Sequence, residues 1–134
     1  MSAAVVYDAA VLIGADRDDR TIWSRHRRRL ESDIRLLVPA PVVVQVSRSP
    51  KQVQLRRFLS GCVIVPLTES GAHEAGRLLA LSKTSDVVDA VVVAIAIHHK
   101  ATTIITSDLD DLRRLVAASG HSIRIDGLGQ LAKF

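Results

Sequence analysis

The sequence has only one cysteine, Cys62, so the chain cannot form an internal disulfide. Aromatic residues make up only 3% of its 134 residues. The hydrophobic core must therefore consist mainly of Val, Ile, Leu and Ala, which is typical of a parallel sheet covered by helices. The longest wholly apolar run, residues 90–97, is far shorter than the roughly 18 residues that cross a bilayer. We therefore expect a cytoplasmic α/β protein without a membrane-spanning helix.

Charge of one sign does not dominate the chain. Lysine and arginine together number 18 and aspartate and glutamate 14, which gives a formal net charge of +4. This balance permits an anionic partner without requiring one. The positions of the charges are therefore more informative than their sum.

Short β-branched runs alternate with helical patterns along the chain. This alternation predicts a three-layer α/β/α fold whose mainly parallel sheet has four to five strands. The length fits one domain, residues 1–134. The predicted strands are residues 3–8, 35–39, 62–67, 102–106 and 122–126, and the predicted helices are residues 9–16, 20–32, 40–49, 51–61, 69–83, 86–99 and 109–119.

The segment 86–99 is ambiguous because its many β-branched residues also suit a strand. Its length exceeds the roughly 5 to 6 residues of a typical strand. Ala90, Ala94 and Ala96 favour a helix. We therefore predict a helix that is apolar on nearly all sides and must be buried.

Four aspartates are predicted to meet at one edge of the sheet. Asp8 follows the first strand, Asp108 follows the fourth, and Asp86 and Asp89 lie at the start of the long helix. Loops at the carboxyl ends of parallel strands converge, so these side chains are expected to lie close together. Closely spaced carboxylates require protons or a cation, and oxygen ligands suit Mg²⁺ or Mn²⁺. Hydrolysis of a phosphodiester by metal-activated water is the chemistry that such a site supports.

Each of these acids also has a structural interpretation. Asp86 is a good helix N-cap, and Asp89 suits the first turn of the same helix. Asp108 could cap the following helix in the same way. Asp8 is the hardest to explain structurally, because it follows a buried strand with no helix start that requires it.

Three segments resemble the PIN domain family, and within it the VapC-type toxin ribonucleases of toxin–antitoxin pairs. They are "VVYDAAVLIGA", "DAVVVAIA" and "IITSDLDDL". The resemblance implies that Asp8, Asp89 and Asp108 hold the metal and are the catalytic acids, and that Asp111 matches a further frequent acid. It also implies an RNA substrate, a homodimer, and a small antitoxin that covers the acidic pocket.

One position departs from the family pattern. "LVPAPVVVQVSRS" resembles a segment in which many members carry a glutamate, but this chain has Gln45. A glutamine carbonyl can bind a hard cation or its water, although the site loses a negative charge. Gln45 can equally be an ordinary polar residue of a helix. Asp86 is an auxiliary candidate that acts through water, and Glu69 and Glu74 remain open as compensating acids.

Two functional hypotheses follow from the resemblance. The first is a Mg²⁺- or Mn²⁺-dependent endoribonuclease toxin. The second is a catalytically weakened protein that binds RNA or antitoxin, because Gln45 replaces the glutamate. Thr106 and Ser107 could hydrogen-bond metal-bound water or phosphate beside Asp108, although both also suit a strand-to-helix turn.

The densest positive region is "RTIWSRHRRRL", residues 20–30. On a helix, Arg25, Arg28 and Arg29 share a face and could follow an RNA backbone. A solvated helix face is the structural alternative, because charged helices are common and only one aromatic residue, Trp23, lies among these cations.

Overall fold

The computed structural model describes residues 3–128, and these form five strands and seven helices. The strands are β1 (Ala4–Tyr7), β2 (Arg35–Pro39), β3 (Val63–Val65), β4 (Thr103–Ile105) and β5 (Arg124–Asp126). The helices are α1 (Ala9–Asp16), α2 (Arg20–Glu31), α3 (Ala40–Val46), α4 (Val53–Leu59), α5 (Glu69–Ser82), α6 (Val87–His98) and α7 (Leu109–Ser119).

All five strands pair in parallel, in the order β3-β2-β1-β4-β5. Helix α1 packs with α2, α3 and α4, whereas α5, α6 and α7 pack with one another. This arrangement confirms the predicted α/β class and its three-layer PIN-like architecture. Tyr7 pairs with Ile105 at the ends of the two central strands, so the residues that follow them emerge side by side. The sheet thereby brings Asp8 next to Thr106.

Helix α6 is the buried helix that the sequence predicted. Every residue from Asp89 to Ala96 is buried, so the β-branched side chains fill the core instead of pairing in a sheet. Asp86 is its N-cap, and the Asp86 Oδ1 atom accepts a hydrogen bond of 3.0 Å from the Asp89 backbone N–H. This cap fixes the start of the helix and places Asp89 one turn along it. No helix within residues 3–128 is long and apolar enough to span a membrane.

Helix α2 buries one of the three arginines that the sequence placed on a basic surface. Its buried stripe is Ile22, His26 and Arg29, which are spaced at i, i+4 and i+7 and therefore lie on one helix face. Arg29 is 4% exposed, and its Nη1 donates to the Tyr7 hydroxyl at 3.2 Å. Of the three arginines assigned to RNA, Arg29 faces the interior, Arg25 is half-buried and Arg28 alone is fully exposed.

The inward-facing side of α2 takes part in an aromatic cluster. Its members are Trp23 and His26 of α2, Tyr7 of β1 and Phe58 of α4. His26 stacks on Phe58, with ring centroids 3.8 Å apart. Burial, together with the positive charge of Arg29, lowers the pKa of His26 to about 4. The ring is therefore neutral near pH 7, and its Nδ1 and the Tyr7 hydroxyl share a 3.0 Å hydrogen bond. Trp23 is thus a packing residue and not a platform for a nucleic-acid base.

Candidate metal centre

Asp8 is held rigidly at the end of β1. Its backbone N–H donates to the Ile105 carbonyl at 3.0 Å, which continues the pairing of the central strands. Its Oδ1 accepts from the Ala9 N–H at 2.8 Å, and its Oδ2 accepts from the Thr106 hydroxyl at 2.8 Å. Asp8 is therefore the N-cap of α1. The prediction that no helix start requires this acid was wrong.

Thr106 links two of the predicted metal ligands. It is completely buried, its hydroxyl donates to Asp8 Oδ2, and the same oxygen accepts from the Asp108 N–H at 2.9 Å. Because its only hydroxyl proton is used by Asp8, Thr106 has none to donate to a phosphate. The structure therefore places Thr106 in a positioning role, whereas Ser107 is exposed.

Three carboxylates come together beside this link. Asp86, Asp89 and Asp108 each offer one oxygen, and these three oxygens lie within 4.8 Å of one another. Asp108 occupies the N-cap position of α7, yet its side chain makes no capping hydrogen bond. Asp108 does not serve as the cap that the alternative interpretation proposed, and its carboxylate faces the cluster.

Asp89 is the buried member of the three-carboxylate group. It is 5% exposed, and its Oδ2 is a buried oxygen without a hydrogen-bond partner. Burial, the hydrogen bond that a protonated Asp89 can make with the carboxylate of Asp108, and the negative charges of Asp8 and Asp86 raise the pKa of Asp89 to about 9. Burial also raises the pKa of Asp8, against the opposing hydrogen bonds from Thr106 and Ala9. Negative charge at this site therefore requires a proton or a cation to balance it.

These residues fit a hard divalent cation. All donors in the cluster are carboxylate oxygens, which Mg²⁺ and Mn²⁺ prefer. Ligand oxygens at about 2.1 Å from Mg²⁺ lie roughly 3 to 4 Å from one another, close to the limit of 4.8 Å within which the three oxygens already lie. A cation there would also give Asp89 Oδ2 the partner that it lacks among the described residues.

The close group differs in one member from the predicted trio of Asp8, Asp89 and Asp108. Asp86 is the third member of this group, while Asp8 lies near enough for its negative charge to raise the pKa of Asp89 and is linked to Asp108 through Thr106. The sequence carried a signal for Asp86, namely its spacing of three residues from Asp89 at a helix start.

The remaining candidates lie outside the three-carboxylate group. Gln45 is exposed on α3. Asp111 lies 3.9 Å from Arg114 in an ion pair on α7. On the exposed side of α5, Glu69 lies 3.4 Å from the His73 ring and Glu74 forms an ion pair with Arg77. These two glutamates do not supply the negative charge that is missing at position 45.

Replacing Thr106 with valine tests the positioning role. Valine has a similar shape but leaves Asp8 Oδ2 without its donor and the Asp108 N–H without its acceptor. We expect the free energy of unfolding to fall by about 1–3 kcal/mol in urea denaturation without divalent ions. The exposed Ser107→Ala is the control and should change it by less than about 0.5 kcal/mol. Equal effects of the two substitutions would contradict the assignment.

Comparisons with known proteins agree on one family. The profile of the PIN domain matches residues 5–117, and no curated protein matches the chain. Three solved structures are similar to it in fold. VapBC2 from Rickettsia felis bound to a promoter DNA fragment has 16% identity and a TM-score of 0.73, and the match covers 92% of this chain and 98% of that one.

Two further solved structures are also similar to this chain. FitAcB from Neisseria gonorrhoeae has 15% identity and a TM-score of 0.67, with coverage of 95% of this chain and 99% of that one. A toxin–antitoxin complex from Klebsiella pneumoniae has 20% identity and a TM-score of 0.61, with coverage of 80% and 88%. At these identities, the likeness establishes the fold alone.

Proposed function

The chain belongs to the PIN domain family, and from that membership we propose that it is the toxin of a toxin–antitoxin pair, an endoribonuclease that depends on Mg²⁺ or Mn²⁺. The observation that carries this proposal is the buried Asp89 Oδ2 without a hydrogen-bond partner, inside a group of three carboxylates. A structural acid would be expected to have a donor for that oxygen. An acid that binds a cation needs none.

Some residues at this site would bind the ion, and others hold those ligands in position. As the family resemblance implies, Asp8, Asp89 and Asp108 would hold the ion, and the hydrogen bonds of Thr106 keep Asp8 and Asp108 in position. When bound, the ion would activate water and neutralise the charge that develops on the phosphate. Covalent catalysis by Cys62 has no support, because burial raises the pKa of its thiol to about 12.

RNA and a small antitoxin are the partners in this proposal. One of the similar structures is described as a toxin–antitoxin complex, which supports an antitoxin for this chain. Arg28 remains the exposed candidate for contact with the RNA backbone, beside the half-buried Arg25. We place the protein in the cytoplasm.

We also propose that the protein forms a homodimer through the β3 edge of its sheet. Val63 and Ile64 on this edge strand and Leu67 just after it are exposed apolar residues, whereas the opposite edge strand, β5, carries the ion pair of Arg124 and Asp126. Charged edges resist pairing, and apolar ones promote it. Light scattering in solution should therefore give twice the chain mass of 14.5 kDa.

The second candidate function is a catalytically weakened protein that binds RNA or antitoxin. It is favoured by Gln45, which supplies no charge. Replacing Gln45 with glutamate discriminates between the two. A large gain in cleavage by Gln45→Glu would mark the natural protein as weakened. An unchanged rate would show that the site does not need that acid.

The experiment that tests the function is incubation of the purified protein with structured RNA. We expect endonucleolytic products in Mg²⁺ or Mn²⁺ and none in EDTA, because the carboxylates alone neither activate water nor neutralise phosphate charge. Products carrying a 5′-phosphate and a 3′-hydroxyl would agree with hydrolysis by water. Cleavage that is unaffected by EDTA would reject the mechanism.

A further inference from the structure

The exposed, uncharged Gln45 leaves the site one acid short of the pattern that this chain otherwise follows. Glu69 and Glu74 lie against His73 and Arg77 on α5 and are not members of the three-carboxylate group. The remaining question is which side chain supplies the missing negative charge.

We propose that Asp86 is a direct metal ligand that takes the place of the absent glutamate. This inference rests on the proposed function. One Asp86 oxygen lies within 4.8 Å of oxygens from both Asp89 and Asp108, so a single cation can contact all three residues. Asp86 is exposed whereas Asp89 is buried, so Asp86 contributes the ligand on the open side of the site.

Capping and metal binding are compatible for Asp86. Its Oδ1 accepts the hydrogen bond from the Asp89 N–H at 3.0 Å, and this bond fixes the direction of the carboxylate. A carboxylate has two oxygens and about four lone pairs, so the cap leaves capacity for a cation. The same contact ties Asp86 to the backbone of Asp89, so the two ligands are held as a unit at the start of α6.

A separate observation indicates that this group binds a cation. Asp89 Oδ2 is buried and has no partner among the described residues, although the side chain is held within a packed helix. Exposed acids near the site behave differently. Asp110 is highly exposed and lies 4.0 Å from Arg113 in a loose ion pair. Asp126 Oδ2 is also buried without a partner in the described part of the chain, but Asp126 is paired with Arg124 through Oδ1, whereas Asp89 lies in a group of three acids.

Mn²⁺ binding to the full chain, measured by calorimetry or electron paramagnetic resonance, tests this role without reference to cleavage. Asp86→Asn is a sharp variant because asparagine caps helices as well as aspartate does, so α6 keeps its start while the charge is lost. We expect the dissociation constant for Mn²⁺ to rise by roughly tenfold or more. Asp110→Asn removes an equal charge from the exposed first turn of α7 and should change it by less than about twofold.

Comparison with Asp89→Asn distinguishes a wrong assignment of Asp86 from a wrong assignment of the whole metal centre. If Asp89→Asn abolishes Mn²⁺ binding and Asp86→Asn stays within twofold of the natural protein, Asp86 is only a cap and the inference fails while the metal centre stands. If neither substitution weakens binding, the metal centre itself is wrong. Unchanged far-ultraviolet circular dichroism of both variants ensures that a lost affinity is not a lost fold.

Discussion

Replacing Asp89 with asparagine is expected to lower the rate of RNA cleavage by at least about a hundredfold and to abolish Mn²⁺ binding. Asp89 is the buried member of the carboxylate group, and its Oδ2 has no other partner among the described residues. Asparagine keeps the size of the side chain and removes the charge that holds the cation. Single-turnover cleavage of a labelled RNA in Mg²⁺ measures the effect.

Two further variants serve as comparisons for Asp89→Asn. Asp8→Asn should also reduce cleavage strongly, because it alters the acid that Thr106 links to Asp108. Asp110→Asn, at an exposed position in the first turn of α7, should leave the rate within about twofold. A rate for Asp89→Asn close to that of the natural protein would remove the proposed chemistry, since no other described acid is both buried and part of the group.

Without divalent ions, the protein is expected to become less stable as the pH rises from 5 to 8. The pKa of Asp89 is about 9 in the folded protein and near 3.9 in an unfolded chain. Between these values the folded state keeps a proton that the unfolded state has released, so raising the pH favours unfolding. The free energy of unfolding should fall by up to about 1.4 kcal/mol per pH unit from this group.

Urea denaturation in EDTA at several pH values measures this slope. Asp89→Asn should flatten it, because the amide does not titrate and the buried charge is gone. The raised pKa of Asp8 acts in the same direction and leaves a residual slope. Saturating Mg²⁺ should stabilise the natural protein more at pH 8 than at pH 5, because the ion competes with the proton for the carboxylates. Equal slopes for both proteins would contradict the raised pKa of Asp89.

Local pattern was sufficient to predict most secondary structure, because it depends on neighbouring residues. Helix α6 followed from its length and alanines, and its Asp86 cap from residue type. Boundaries that depend on a partner strand were less accurate. The third strand was predicted over residues 62–67, yet β3 is only Val63–Val65. It pairs with Leu37 to Pro39 of β2, and α3 starts at the next residue, so residues 66–67 have no strand to pair with.

Side-chain direction was harder to predict than element type. Arg29 was assigned to a basic surface because it shares a helix face with Arg25 and Arg28, but contact of α2 with the sheet turns it inward against Tyr7. Arginine tolerates this because its long aliphatic stem can be buried and its guanidinium can find polar partners. Which face of an amphipathic helix points inward depends on the surface that the helix packs against. The sequence of α2 alone did not decide which of two faces would be buried.

The sequence by itself determined the α/β class, the order of its elements and the gathering of acids at one edge of the sheet, because the carboxyl ends of parallel strands converge. Only the tertiary structure decided which carboxylates are neighbours. Asp86 and Asp89 lie on one helix and Asp108 follows a strand, so their separation is set by the packing of α6 against the sheet. That packing brings their oxygens within 4.8 Å and buries Asp89 Oδ2 without a partner.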